Sequence, residues 1–355
     1  MNNKIKAAVA GAVLASASVA NAGITWDAGE WTVDMNGNVN AFAVYSDAND
    51  SSAANGALTA TQTAGDANKE SFAIQTGLLP SWLGFTATTR QNDIDTSVTI
   101  SFQPGTGGNS ALSGGASNAT GTENRQAFLT FGDKSWGSVK VGKDLGIYGS
   151  TAILNDMTLL GVGATGGTVG NGVGTDAGTT STTLGGIGTG YLYADWKGQI
   201  AYTTPNMNGL SATIGVTQPW NAGGGLSAAS SGTTDQPAIE AQVSYSWTGD
   251  FAGKVWGGVF SQEVQGLHAA NSSDDAQAVE VGVSTSIYNI NLVAYGYSGE
   301  GVGTTGMLVQ GFDTTGDARD SDGGYVQATY VIPMGTKLGV SYGVSKLDDN
   351  TADRG

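Results

Sequence analysis

Apolar and polar residues alternate with a period of two through most of the sequence, in segments of about ten residues. In AIEAQVSYSW (238–247), Ile239 and Val243 lie on one parity, whereas Glu240 and Gln242 lie on the other. Successive side chains of a β-strand point to opposite faces, so each segment predicts a strand with one apolar face and one polar face. Because helical periodicity is nearly absent, the sequence predicts an all-β fold.

Short turns and long polar stretches alternate between these segments. Strict alternation of this kind is typical of a transmembrane antiparallel up-and-down β-barrel, which has short turns on one side of the membrane and long loops on the other. A soluble β-sandwich does not require it, and loops this long are uncommon in a compact domain. The short turns lie at 91–93, 132–135, 205–209, 248–250, 288–289 and 333–335, and the long stretches at 46–69, 104–124, 144–190, 219–236, 263–275 and 299–322.

The first 22 residues have the features of a secretory signal peptide. Lys4 and Lys6 give a short positive segment, and an apolar run that starts at Ala7 ends in small residues at Ala22. This run is shorter than the roughly 20 apolar residues that a membrane-spanning helix needs. We therefore expect residues 1–22 to be removed on export and residues 23–355 to form a single β-barrel domain.

The first predicted strand, WTVDMNGNVNAFAVY at 31–45, raises the question of which face is wet. Trp31 and Val33 share one parity, and Asp34 and Asn36 share the other. A lipid bilayer offers no hydrogen bonds to the backbone, so a sheet can cross it only as a closed barrel. The interpretation that follows places the apolar parity against lipid and the polar parity in a water-filled lumen.

Two predicted hairpins carry recognisable motifs. The hairpin RQAFLTFGDKSWGSVKVGKD (125–144) begins Arg-Gln-Ala, and the hairpin IAYTTPNMNGLSATIGV (200–216) contains Tyr-x-Thr-Pro-x-x-x-Gly. The first resembles a hairpin of the Gram-negative general porins that begins Arg-Gln-Ala and ends Gly-Arg, and the second resembles the Tyr-x-Ser-Pro-x-x-x-Gly hairpin of the same family. The resemblance implies a homotrimer, a barrel of sixteen strands, and a third external loop that folds inward. Counted along this chain, that loop is the segment from Asp144 to Gly190.

The alternation predicts thirteen strands, three fewer than the family's sixteen. The family also ends its last strand on an aromatic residue, whereas this chain stops at DDNTADRG. We therefore expect the C-terminal strands to be missing from this sequence. The segment 70–80 is left with two interpretations, an outer extension of a strand bent at Pro80 or an apolar patch in the first loop. The predicted strands are 31–45, 82–90, 95–103, 125–131, 136–143, 198–204, 209–218, 237–247, 251–262, 276–287, 289–298, 323–332 and 336–346.

The resemblance further implies a pore in which carboxylates of the inward loop face basic residues of the wall. Asp144 and Asp156 are the carboxylates in the early part of that loop, and Arg90 and Lys140 have inward parity on the wall. Lys143 matches the family's Gly-Arg position, but its parity also fits the outer rim. Carboxylates at inward parity, together with the acidic composition, predict a mild preference for cations. The predicted pore-lining residues are Asp34, Arg90, Lys140, Lys143, Asp144, Asp156, Glu240 and Glu280.

A separate acidic group lies in the stretch DTTGDARDSD. Hard divalent cations such as calcium take several carboxylate oxygens, so these residues suggest a loop calcium site, with a solvated acidic loop as the alternative. The chain has no cysteine and one histidine, His268, which disfavours zinc and a histidine-dependent triad. No other cofactor is expected. The candidate calcium ligands are Asp313, Asp317, Asp320 and Asp322.

The charge balance restricts the partners. With 14 basic and 30 acidic residues the chain has a formal net charge of −16, which argues against nucleic acid. No catalytic constellation stands out, so an enzyme is not expected. The sequence predicts an outer-membrane porin for passive diffusion of small hydrophilic solutes and ions, in contact with membrane lipids and lipopolysaccharide. A substrate-specific outer-membrane channel and a secreted β-rich adhesin are the alternatives.

Overall fold

The computed structural model describes residues 23–47, 70–75, 79–104, 122–159, 186–220, 234–267, 273–313 and 316–348. Within these ranges the chain forms seventeen strands and one short helix, so the predicted all-β class is confirmed. The predicted signal peptide, the middle of the predicted inward loop (160–185) and His268 lie outside the described residues.

The strands are short at the N-terminus and reach 15 residues in the C-terminal half. The helix, α1 (Ser150–Asn155), follows the ninth strand. In chain order the strands are β1 (Ile24–Ala28), β2 (Trp31–Asn38), β3 (Phe42–Asp47), β4 (Glu70–Gln75), β5 (Trp82–Gln91), β6 (Ile94–Pro104), β7 (Thr122–Glu123), β8 (Ala127–Asp133), β9 (Gly137–Leu145), β10 (Trp196–Thr203), β11 (Leu210–Thr217), β12 (Ala238–Trp247), β13 (Phe251–Gln265), β14 (Ser273–Ile287), β15 (Ile290–Glu300), β16 (Asp320–Val331) and β17 (Lys337–Leu347).

Fourteen of the described strands form one antiparallel up-and-down sheet. Its order is β1-β2-β5-β6-β8-β9-β10-β11-β12-β13-β14-β15-β16-β17, so each strand of this path pairs with the next one along the chain. β7 adds a short pairing to β6, and β3 pairs with β4 in a separate two-stranded sheet. This is the predicted up-and-down topology. No helix of the described ranges has the length and apolar character that crossing a membrane requires.

The N-terminal part differs from prediction in two details. β1, which precedes the first predicted strand, was not predicted, so the path has fourteen strands where the sequence pattern gave thirteen. The predicted strand 31–45 is also interrupted between β2 and β3. At this break, side-chain contacts take the place of ladder hydrogen bonds. The backbone amide of Asn40 donates to Ser81 Oγ at 2.9 Å, and the side-chain Nδ2 of Asn40 donates to the Leu79 carbonyl at 3.0 Å.

The unassigned segment 70–80 begins as a strand. β4 pairs with β3 from Asp47–Glu70 to Phe42–Gln75, outside the main sheet. The chain then enters β5 through Pro80 and Ser81, both of which are buried. The first half of the segment is therefore one arm of an outer hairpin.

The two faces of the main sheet differ in exposure. Apolar side chains of one parity are exposed, and polar or charged side chains of the other parity are buried. A soluble protein would bury the apolar set, whereas a sheet whose outer face meets hydrocarbon shows this inverted arrangement. The apolar parity is therefore the exposed, outer one in β10 to β17, as the alternation predicted. Examples from the exposed set are Ile200, Ile214, Val243, Val281 and Val340, and examples from the buried set are Lys197, Gln199, Glu240, Gln262 and Gln327.

Other segments of the chain cover part of the inner face. Trp256, Tyr295 and Tyr325 point inward from β13, β15 and β16, and all three are buried. They belong to one apolar cluster with residues of the segment that follows β9, among them Tyr148 and Ile153. Period-two alternation gives the face to which a side chain points, but it cannot show whether water or another segment of the chain covers that face.

Candidate functional site

Residues 146–159 leave the end of β9 and cross the inner face of the sheet; we call them the inward segment. The chain returns to the sheet through residues 186–195, which we call the return arm. Gly149 precedes α1 with φ 76°, a left-handed conformation that glycine adopts without steric cost. Side chains from β12, β14, β16 and β17 bond to these two stretches, as described below, so the sheet curves around them.

Glu240 on β12 binds the first turn of the inward segment. Its carboxylate accepts the Ile147 amide at 2.7 Å, the Tyr148 amide at 2.9 Å and the Thr217 hydroxyl at 2.9 Å. It also forms an ion pair with the buried Lys197 ammonium. Glu240 is 0% exposed, and a carboxylate so far from water is stable only when it is paired and hydrogen-bonded. The charge of Glu240 is therefore balanced by these buried partners and is not presented to the lumen.

Glu280 on β14 continues this anchoring. Its carboxylate accepts the Gly149 amide at 3.1 Å, the Tyr295 hydroxyl at 2.9 Å and Gln242 Nε2 at 3.3 Å. With Glu240, it binds three successive backbone amides of the inward segment. We call Glu240 and Glu280 the carboxylate clamp. Gln242, which lies between them, accepts the Thr151 hydroxyl at 2.8 Å.

β16 holds the other end of the inward segment. Gln327 accepts the Met157 amide at 2.8 Å and donates to the Asn155 carbonyl at 2.9 Å. The Tyr325 hydroxyl donates to the Ala152 carbonyl at 2.8 Å. These bonds satisfy carbonyls at the end of α1, which have no partner inside so short a helix. The inward segment is thus bound along its whole described length.

The return arm reaches β17. The Gly190 amide donates to Ser345 Oγ at 3.0 Å. A Cβ at Gly343 would overlap the Thr189 carbonyl oxygen, so glycine at this inward position permits the close approach. Any larger residue there would push the return arm away from the wall.

Asp156 joins the inward segment to the return arm. Its carboxylate accepts the Thr158 amide at 2.8 Å, the Thr158 hydroxyl at 2.7 Å, the Gly186 amide at 2.9 Å and the Tyr191 hydroxyl at 2.7 Å. Burial, with the Asp156 charge beside it, raises the pKa of Tyr191 well above its ordinary value, so the phenol remains a donor. Asp156 was predicted to face the pore, but the structure places its carboxylate in a buried network.

Asp144 and Lys140 form an ion pair on β9. Asp144 is buried and also accepts Gln126 Nε2 at 3.1 Å, while the Lys140 ammonium lies 4.9 Å from the centre of the Phe128 ring. The structure brings these two predicted residues together, on the part of the wall where the inward segment begins. Their opposite charges partly cancel, so neither presents an isolated charge.

Three other predicted residues lie away from this network. Arg90 is at the short-turn end of β5, where it pairs with Asp95 at 2.7 Å and Asp133 at 2.8 Å. Lys143 pairs in register with outward-facing residues of β8 and β10, which places it on the outer face near the rim. Asp34 lies on β2, where it accepts Asn36 Nδ2 at 2.8 Å. The register thus places Lys143 on the outer face, as its parity indicates, and does not support the lining position that its match to the family motif implied.

Several anchoring residues were not predicted. Gln242 and Gln327 have inward parity in the segments AIEAQVSYSW and YVQATYVI, so the sequence predicts that their side chains point inward. The sequence does not predict their bonding partners, because these lie 91 and 170 residues away in the chain. Lys197 was missed because the predicted strand started one residue later, at 198.

The loop aspartates do not form a ligand set. Asp313 accepts the Asp317 amide at 3.0 Å, a local turn contact. Asp320 and Asp322 lie on β16, opposite Glu300 and Ser298, and are exposed. In the part of the chain that the structure describes, no three His, Cys, Asp or Glu side chains are close enough together to hold a metal ion. This geometry gives no support to the predicted calcium site.

Comparison with known proteins agrees with this architecture. The family model described as Gram-negative porin matches residues 7–355. No curated protein sequence matches the chain. The similar solved structures have only 15–16% sequence identity to this chain, so the likeness shows the fold alone. The similar structures include an anion-selective porin from Comamonas acidovorans (15% identity, 90% of this chain and 80% of that chain, TM-score 0.57), the outer membrane channel DcaP of Acinetobacter baumannii (15%, 92% and 82%, 0.60) and OmpT of Vibrio cholerae (16%, 92% and 79%, 0.51).

Proposed function

Because the chain belongs to the Gram-negative porin family and is therefore an outer-membrane channel protein, we propose that it is a non-specific pore for small hydrophilic solutes and ions. The observation that carries this proposal is the inward segment, which is fixed to one side of the inner wall. Transport through such a passage is passive diffusion, because it requires only a water-filled opening that is wide enough for the solute. The inward segment narrows the passage and thereby limits the size of the solute.

The wall opposite the inward segment supports a lack of specificity. On β5 and β6 its inward side chains include hydroxyls that bond to one another, such as Thr86 with Thr99 at 3.0 Å. Asn36 accepts the Trp82 indole N–H at 3.1 Å on the same wall. Neutral groups that are already hydrogen-bonded to one another have little capacity to bind a passing solute tightly, so the solute stays hydrated. A substrate-specific channel would need a set of convergent side chains.

The direct test is the single-channel conductance of the purified protein in planar bilayers. We expect large, ohmic current steps that small sugars do not block. Small steps that one solute blocks would favour the specific channel. Absence of steps from protein that has inserted into the bilayer would contradict the channel function itself.

We also propose a mild preference for cations, based now on fewer groups than the sequence suggested. The carboxylate clamp is buried and bonded, so it cannot act as a charged ring in the lumen. Asp34 remains on the inner face, and the chain has a formal net charge of −16. The similar porin from Comamonas acidovorans is anion-selective, so the sign of the preference needs its own measurement.

Replacing Asp34 with asparagine should move the reversal potential in a salt gradient toward zero. The substitution removes one negative charge from the inner face and leaves a side chain of the same shape. Glu263→Gln is the matched control, because Glu263 has outward parity on β13 and should not influence ions in the lumen. An anion-selective wild-type protein would overturn the proposed preference.

The remaining proposals concern processing and partners. We propose that residues 1–22 are removed during export and that the mature chains form a homotrimer. The broad apolar outer face of the sheet supports contact with membrane lipids, with lipopolysaccharide at the rim that carries the long loops. Chemical cross-linking of protein in native outer membranes would reveal the trimer.

A further inference from the structure

A second external loop is buried in the same way as the inward segment. It connects β15 to β16 and comprises residues 301–319, of which 301–313 and 316–319 are described; we call it the second inward loop. Val302, Met307, Leu308 and Phe312 are each at most 2% exposed. An external loop that extends into water would not bury four large apolar side chains. This one therefore packs against the rest of the molecule.

The second inward loop has a defined internal structure. The Gly301 amide donates to the Arg319 carbonyl at 2.9 Å and so closes the base of the loop. The Leu308 amide donates to the Val302 carbonyl at 2.9 Å, and the Arg319 amide donates to the Gly311 carbonyl at 2.8 Å. Backbone bonds at the base and across the loop therefore define its shape.

One side of this loop packs over the inner wall. Its apolar residues share one cluster with Val264 on β13 and Ala276 on β14, both of which have inward parity. A Cβ at Gly301 would lie 3.0 Å from Phe312 Cζ and 3.1 Å from Ala276 Cβ, so the Phe312 ring of the loop packs close to β14. The loop therefore occupies space within the curve of the sheet.

The second inward loop also contacts the return arm. The Tyr193 amide donates to the Thr305 carbonyl at 2.7 Å, and Tyr193 forms a parallel bridge with Gly306. Leu192 belongs to the same apolar cluster as Met307 and Leu308. The return arm is thus held by β17 through Ser345 and by the second inward loop through Thr305.

We propose that the second inward loop is a second constricting element, which narrows the passage and fixes the return arm in position. The inference rests on the proposed channel function, and it assigns the size limit to two loops acting together. The inward segment is bound to the wall by the carboxylate clamp. The return arm depends on the second inward loop for one of its contacts, so loss of that loop's packing widens the passage at both elements.

The main test replaces Met307 and Leu308 with serine. Removing these two apolar anchors releases the loop from the shared cluster, and the single-channel conductance should rise about twofold because the narrowed cross-section widens. Larger sugars should enter proteoliposomes in a swelling assay. Val309→Ser is the matched control, because Val309 lies in the same loop but is only half-buried. Unchanged conductance and an unchanged sugar limit in the inserted double variant would overturn the proposal.

A second test does not depend on loss of packing. The wild-type chain has no cysteine, so Tyr193→Cys with Gly306→Cys introduces a single possible disulfide. Bridge partners lie within the separation that a disulfide spans, so oxidation of the inserted double variant should cross-link the pair, and its conductance should be the same before and after oxidation. Failure to cross-link would overturn the proposal even if the serine variant does not fold. Absence of channels from wild-type protein would instead overturn the proposed function.

Discussion

Arginine in place of Val281 is expected to destabilise the folded protein in lipid by about 2–4 kcal/mol, the cost of a basic side chain at the midplane of a barrel's lipid face. Val281 is near the centre of the 15-residue strand β14 and is 61% exposed. Its neighbours of the same parity, Val279 and Val283, are exposed as well. A guanidinium at this position would be placed in hydrocarbon, with no water or carboxylate to accept its hydrogen bonds. Denaturant titration of protein refolded into lipid vesicles would measure the loss.

The matched control places the same side chain on the other face. Ser97 has inward parity on β6, opposite Thr88 and Thr130, on the part of the wall that the inward segment does not cover. Ser97→Arg should insert normally and lower the conductance, because the guanidinium remains hydrated in the lumen. If Val281→Arg were tolerated and Ser97→Arg were not, the assignment of the two faces would be wrong.

The topology was predictable from the sequence because each hairpin of an up-and-down sheet is local. Turn lengths and period-two alternation specify which strands are neighbours and which way their side chains point, and Glu240 and Glu280 were correctly placed on the inner face. The break after β2 was not predictable, because it depends on Asn40 meeting Ser81 across a long loop. Local patterns contain no information about such distant contacts.

The candidate site was less predictable for the same reason. Inward parity is compatible with a group in water and with a group bonded to another segment, and it cannot distinguish them. Glu240 meets Ile147, which is 93 residues away, and Asp156 meets Tyr191, which is 35 residues away. Arg90 has inward parity, but its height on the strand places it beside Asp133 at a short turn. Parity therefore gave the direction of each residue but not its partner.

Removing the Glu240 carboxylate should release the first turn of the inward segment. Glu240→Ala leaves the Ile147 and Tyr148 amides without their acceptor and leaves the Lys197 ammonium buried without a counterion. Breaking a buried ion pair from one side costs about 3–5 kcal/mol, so the free energy of unfolding should fall by that amount. Because the inward segment loses an anchor, single-channel currents should also become larger and noisier. Glu263→Ala is the control, and a substitution at such a surface position should change stability by less than about 0.5 kcal/mol.

A double variant separates the loss of stability from the loss of the anchor. In Lys197→Met with Glu240→Met the uncompensated charge is gone, and apolar replacement of a buried ion pair is often close to neutral for stability. The methionine side chain still cannot accept the Ile147 and Tyr148 amides as a carboxylate does. We therefore expect the double variant to recover most of the free energy of unfolding while its currents remain enlarged and noisy. Wild-type currents from the double variant would mean that Glu240 stabilises the wall without holding the inward segment in place.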